Sequence, residues 1–160
     1  MVDGEHSPTE IAKFIGVIAG IVIVSVLLRV TFDGNFLNYF MGVFFAVFAS
    51  FKLAGYQMFK EMFAGYDVIA KRSTIYTALY PFIELSLGIA YLFNVAPGPR
   101  DVITFIIMAV SSIGVFQELK RRRGIHCACL GNIIKLPLST VSLVENVGMG
   151  LMALAMLLLY

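Results

Sequence analysis

Cys127 and Cys129 stand one residue apart in the stretch Gly124-Ile125-His126-Cys127-Ala128-Cys129-Leu130-Gly131. They are the 2 cysteines of a chain of 160 residues. Thiolates select soft ions, so the pair is a candidate ligand set for Cu(I) or a similar thiophilic metal, with His126 as a third donor. The same thiols are also a candidate redox dithiol that forms disulfides or exchanges them with a partner. The basic run Lys120-Arg121-Arg122-Arg123 just before them favours the thiolate form that both chemistries use. A disulfide closed across a single residue has poor geometry, so it would be strained and oxidising. A third account is packing, with the cysteines acting as small hydrophobes.

Ionisable residues inside apolar segments are the next candidates, because a charge in lipid is expensive and marks function by default. Glu84 follows Pro81 by three residues in the middle of one such segment, where a carboxyl group should be protonated or paired. Lys52 lies near the end of another, where its long stem could snorkel to the membrane surface. Glu145, Met149, Met152 and Met156 fall on one helical face. Thioethers there could pass a Cu(I) ion inward from the cysteines, although methionine in an apolar helix is commonly packing filler. Asn146 adds a polar side chain beside Glu145, and Tyr66-Asp67 could be a loop contact or an interfacial anchor.

These residues are carried by a chain that is apolar almost throughout. It is 59% hydrophobic and 14% charged, with a mean hydropathy of +0.89, against about 25% charged residues in soluble domains. At about 20 residues per span there is room for five or six crossings. Five apolar segments stand out: Ile11 to Phe32, Phe36 to Gly55, Ile75 to Ala96, Val102 to Glu118 and Leu138 to Tyr160. Lipid cannot satisfy backbone polar groups, so these must be helices. Asp33-Gly34-Asn35 reads as a turn, and Pro97-Gly98-Pro99 as the stop of the third helix. The N-terminal residues lack the basic region and cleavage site of a signal peptide, so the first segment should be retained.

Lys and Arg collect in the connection after the second segment (Lys60, Lys71, Arg72) and in the one after the fourth (Lys120 to Arg123, Lys135). The Asp33 and Pro97 connections are nearly bare. This bias puts the N-terminus and the cysteine segment in the cytoplasm and the C-terminus outside. The expected localisation is a bacterial inner membrane. Lys52, Asp67, Lys71, Arg72, His126, Cys127, Cys129 and Glu145 then share one membrane face, with Glu84 deeper beneath them. His6 sits in the polar tail, away from this group. The net charge of +2 gives no sign of nucleic-acid binding. A nucleotide loop, a Ser/His/Asp arrangement and a catalytic carboxylate pair are all missing.

With these residues in view, the chain resembles the MauE/DoxX-like family of redox-associated membrane proteins over roughly Phe44 to the C-terminus. The resemblance rests on Ala49-Ser50-Phe51-Lys52-Leu53, on Tyr66-Asp67-Val68-Ile69-Ala70 and on Tyr80-Pro81-Phe82-Ile83-Glu84-Leu85-Ser86-Leu87-Gly88. Its most specific part is the Cys-x-Cys motif after Arg123-Gly124, and Glu145-Asn146 completes it. Ala128 stands where the family typically has Gly, Leu130 where it has an aromatic residue, and Glu145 where it has Arg.

The resemblance implies an all-α, polytopic integral membrane bundle. Residues 1–10 would form a polar tail, 11–35 an extra N-terminal transmembrane helix, and 36–160 a four-helix MauE/DoxX-like domain, giving five spans. It further implies thiol-redox exchange through Cys127 and Cys129, with a quinone or a second protein as the other party, since the chain has no second cysteine pair. Relatives with the His-Cys-x-Cys pattern look like companions of heavy-metal-associated domains, which implies delivery of Cu(I) to a metal-carrying partner instead. A structural accessory subunit is the remaining alternative.

Overall fold

The computed structural model describes residues 8–121 and 140–159, and over these residues the chain is six helices with no strand. They are α1 (Pro8–Phe32), α2 (Phe36–Ala54), α3 (Tyr56–Tyr66), α4 (Thr74–Leu92), α5 (Pro97–Arg121) and α6 (Thr140–Leu159). Local chemistry sets several of the ends. Asn35 caps α2 by accepting a hydrogen bond from the Leu37 amide at 3.0 Å. Ser73 caps α4 by accepting one from the Tyr76 amide at 3.2 Å.

Two expectations need correction. The stretch after the second segment is not a plain connection: Tyr56–Tyr66 forms α3, which buries Phe59, Phe63 and Tyr66. Its polar residues had masked that apolar face. The third apolar segment stops at Leu92, not at Ala96. Asn94 and Ala96 then turn the chain with φ values of 51° and 42°, and Pro97 and Pro99 open α5 instead of closing the helix before it. In the first turn of a helix the missing proline N–H has no intrahelical partner to lose.

Close backbone approach sets the central packing. A Cβ on Gly88 would lie 3.0 Å from the Ala46 nitrogen and 3.0 Å from the Gly42 oxygen, so α2 and α4 cross backbone to backbone at two glycines. Helices α5 and α6 pack along one another, with Met108, Met149, Ala153 and Met156 buried in the core. Helix α1 lies at the edge and packs on α2 through Ile21 and its partly buried neighbours. Its other side, like the outer sides of α4 and α5, exposes large apolar residues such as Val30, Ile75 and Ile106.

Four helices (α1, α2, α4 and α5) are long and apolar enough to cross a membrane, and α6 adds the apolar stretch Leu143–Leu159. With apolar side chains on its outside and charges within, this is a polytopic, all-helical integral membrane protein whose surroundings are the lipid bilayer.

Candidate functional site

Buried Lys52, Asp67, Thr77, Glu84, Ser111 and Glu118 gather toward the end formed by the C-terminus of α2, by α3, by the start of α4 and by the last turns of α5. Lys52 is in the last turn of α2. Side chains on a helix lean toward its N-terminus, and this tilt carries the amino group of Lys52 into the bundle. Its Nζ lies 2.5 Å from Glu84 Oε2, with the two side chains 6% and 4% exposed. Snorkelling is therefore not what Lys52 does: its partner lies deeper, and pairing meets the requirement that a carboxyl group at that depth sets. Nζ also sits 5.0 Å from the centre of the Tyr80 ring and 5.8 Å from that of Phe59, inside an aromatic box that Phe63 completes at 4.4 Å from Tyr80.

Asp67, just beyond α3, is fully buried. Its Oδ1 accepts hydrogen bonds from the amides of Ile69 and Ala70, both at 2.9 Å. The Ser111 hydroxyl donates to Oδ2 at 3.3 Å, and the Tyr80 hydroxyl meets the same Ser111 oxygen at 3.3 Å. Tyr80 therefore stands between the partners of both acids, with Ser111 at its hydroxyl and the Lys52 ammonium over its ring. Helix α5 comes close enough for this because residue 114 is glycine: a Cβ there would lie 2.8 Å from the Tyr66 carbonyl oxygen. One turn further on, the 1%-exposed Glu118 carboxylate has Lys71 Nζ at 3.9 Å and no hydrogen bond among the described residues.

The structure brings Lys52 and Glu84 together, sets Asp67 nearby through Ser111 and Tyr80, and places Lys71 against Glu118. Arg72 is exposed, and Glu145 and Asn146 are half-buried on α6. Met149 and Met156 are core residues, 2% and 3% exposed. His126, Cys127 and Cys129 lie outside the described residues. Among the described residues there is no group of three or more His, Cys, Asp or Glu that could hold a metal ion.

Sequence reasoning missed Tyr80, Ser111 and Glu118, although spacing carried the signal. Tyr80 precedes Glu84 by four residues and Ser111 precedes Glu118 by seven, each pair on one helical face. It also missed a cluster at the opposite end, Arg100 and Asp101, which fall in the Pro97 connection that read as nearly bare of charge. They are 3% and 2% exposed and are paired at 2.9 Å.

The profile of the family described as methylamine utilisation protein MauE matches residues 15–159. The chain belongs to the MauE family. The match takes in α2 to α6 and most of α1, so the Lys52–Glu84 pair, the Asp67 network and the cysteine motif all fall within it. Neither the curated proteins nor the solved structures give a match.

Proposed function

We propose that this MauE-family membrane protein carries out thiol–disulfide exchange with a partner protein through Cys127 and Cys129. One observation supports the reading above the others. Buried Lys52, Glu84, Asp67 and Glu118 gather toward the end of the bundle where α5 delivers the chain at Arg121 and α6 takes it up at Thr140. Exchange needs groups that hold and release protons, and these side chains are of that kind.

In the oxidised protein the Cys127–Cys129 disulfide spans one residue, a strained ring that gives up its bond readily. A thiolate of the partner attacks one sulfur, and the other leaves as a thiolate beside the basic run. The partner's second thiolate then displaces the remaining cysteine. The partner keeps the disulfide, and Cys127 and Cys129 keep two electrons, and two protons once both are thiols. The charge bias of the connections supports a cytoplasmic position for this end in a bacterial inner membrane. Cytosolic disulfides are characteristically transient and catalytic, which suits a strained pair.

Against a partner presented as its disulfide, the reverse of the exchange above, the one thiolate left in Cys127→Ser or Cys129→Ser should attack a partner sulfur, release the partner's other thiolate and halt at the mixed disulfide in native membranes. The product is a reductant-sensitive band of higher mass that the double variant does not form. Absence of that band, together with tight one-to-one Cu(I) binding by the reduced protein, would replace exchange by metal delivery through His126, Cys127 and Cys129. If neither appears, the accessory-subunit account stands.

A further inference from the structure

Independently of the cysteines, we propose that the end of the bundle formed by the α1–α2 and α4–α5 turns holds a phospholipid, with its phosphate at Arg100 and an acyl chain between α4 and α5. The Arg100 guanidinium lies 4.0 Å from the centre of the Tyr91 ring. Its Nε is held by Asp101 at 2.9 Å. Its terminal nitrogens reach amide oxygens only at long range: the Ala90 carbonyl and Asn94 at 3.3 Å, and Asn38 at 3.4 Å. A guanidinium bound to an oxyanion sits at about 2.7–2.9 Å, so the terminal nitrogens of Arg100 hold three neutral acceptors at longer range than a phosphate oxygen would take, while its Nε is bound to a carboxylate.

Two spaces meet at this side chain. One is a cavity of about 350 Å³ lined by Asn38, Tyr39, Asn94, Arg100 and Asp101 among others. The second is an apolar groove of about 460 Å³ on the outer side of α4 and α5, lined by Phe82, Ile83, Ser86, Ala90, Ile103 and again Arg100. A cavity that mixes Asn38, Asn94, Arg100 and Asp101 with apolar lining from Leu92 and Met156, and an apolar groove that shares its guanidinium, fit an amphiphile with an anionic head. Asp101 balances one charge, and the positive end of α5 adds to the attraction for an oxyanion. Three non-glycine residues with positive φ, Asp33, Asn94 and Ala96, flank the same end.

The full-length protein, purified in mild detergent and stripped of lipid, is titrated with phosphatidylglycerol, with diacylglycerol of the same chains, and with inorganic phosphate. Bound ligand is read by native mass spectrometry and stability by thermal unfolding. Phosphatidylglycerol should be retained about fivefold more tightly than diacylglycerol, the equivalent of one basic side chain near an anionic headgroup, and should raise the unfolding temperature. Ser86 is exposed on the groove. Ser86→Phe should fill the space and abolish the preference without lowering the lipid-free unfolding temperature. Equal retention of diacylglycerol would overturn phosphate recognition. Equal stabilisation by inorganic phosphate would overturn the role of the groove, and so would unchanged phosphatidylglycerol retention in Ser86→Phe.

Discussion

Replacing Lys52 with methionine tests the centre of the site, because methionine keeps an unbranched stem and removes only the charge. The Glu84 carboxylate would remain 4% exposed with its 2.5 Å partner gone. Removing one member of a buried ion pair costs about 3–5 kcal/mol, most of it the desolvation of the charge left behind. At about 2–4 °C per kcal/mol for a chain of this size, the unfolding temperature should fall by roughly 6–20 °C. Glu84→Met strands the ammonium and should cost a similar amount. The double variant Lys52→Met/Glu84→Met leaves no charge behind. It should be neutral or more stable by about 1–4 kcal/mol, since apolar packing generally matches or exceeds a buried pair. The coupling energy of the cycle is then at least roughly 6 kcal/mol. The chain has no tryptophan, so far-UV circular dichroism on heating in detergent is the readout. A loss under about 1 kcal/mol for Lys52→Met, with additive behaviour of the two changes, would show a hydrated, surface-directed lysine and refute the buried pair.

Two further outcomes follow from the geometry. In Gly114→Ala the new Cβ meets the Tyr66 carbonyl oxygen at 2.8 Å, which α5 can relieve only by moving away, so the protein should lose about 1–3 kcal/mol and hydrogen exchange should speed up around Asp67. Glu118→Gln should leave stability unchanged or raise it by about 1 kcal/mol, because it removes a desolvated charge whose cation lies 3.9 Å away. A clear drop in unfolding temperature would instead mean that residues 122–139 supply that carboxylate with a partner.

The sequence made the membrane character legible because lipid leaves the backbone no choice but helix over long apolar runs. It located Lys52 and Glu84 through the cost of burying charge, and read Asp67 as a loop contact or an interfacial anchor. It did not show which way Lys52 points, since a lysine near a helix end can snorkel or turn inward, and the outcome depends on whether a carboxylate is in reach. Only the crossing of α2 and α4 at Gly42 and Gly88 sets that distance. Arg100 and Asp101 were illegible for a related reason. They follow two prolines, and prolines that open a helix look the same in sequence as prolines that end one. The face of α3 was hidden because Gln57, Lys60 and Glu61 dilute its hydropathy, while Phe59 and Phe63 still reach the core.

A buried ion pair is weak support for stability, because apolar side chains of the same volume usually serve as well. This chain is 59% hydrophobic and has α2 and α4 already in backbone contact at Gly42 and Gly88. It therefore has no structural need for an ammonium and a carboxylate between them. The proposed exchange gives them a use. Lys52, Tyr80, Ser111 and Asp67 link Glu84, deep in α4, to the end of the bundle at which the cysteine segment begins and ends, and each of these groups can hold or pass a proton. The proposed exchange takes up protons when the released thiolates of Cys127 and Cys129 become thiols, and its attacking thiol must first lose one. The stable double variant Lys52→Met/Glu84→Met therefore separates the two roles: if it still forms the mixed disulfide at the wild-type rate, the pair only shapes the bundle. A slowed exchange in a protein of undiminished stability would tie the buried charges to the chemistry of Cys127 and Cys129.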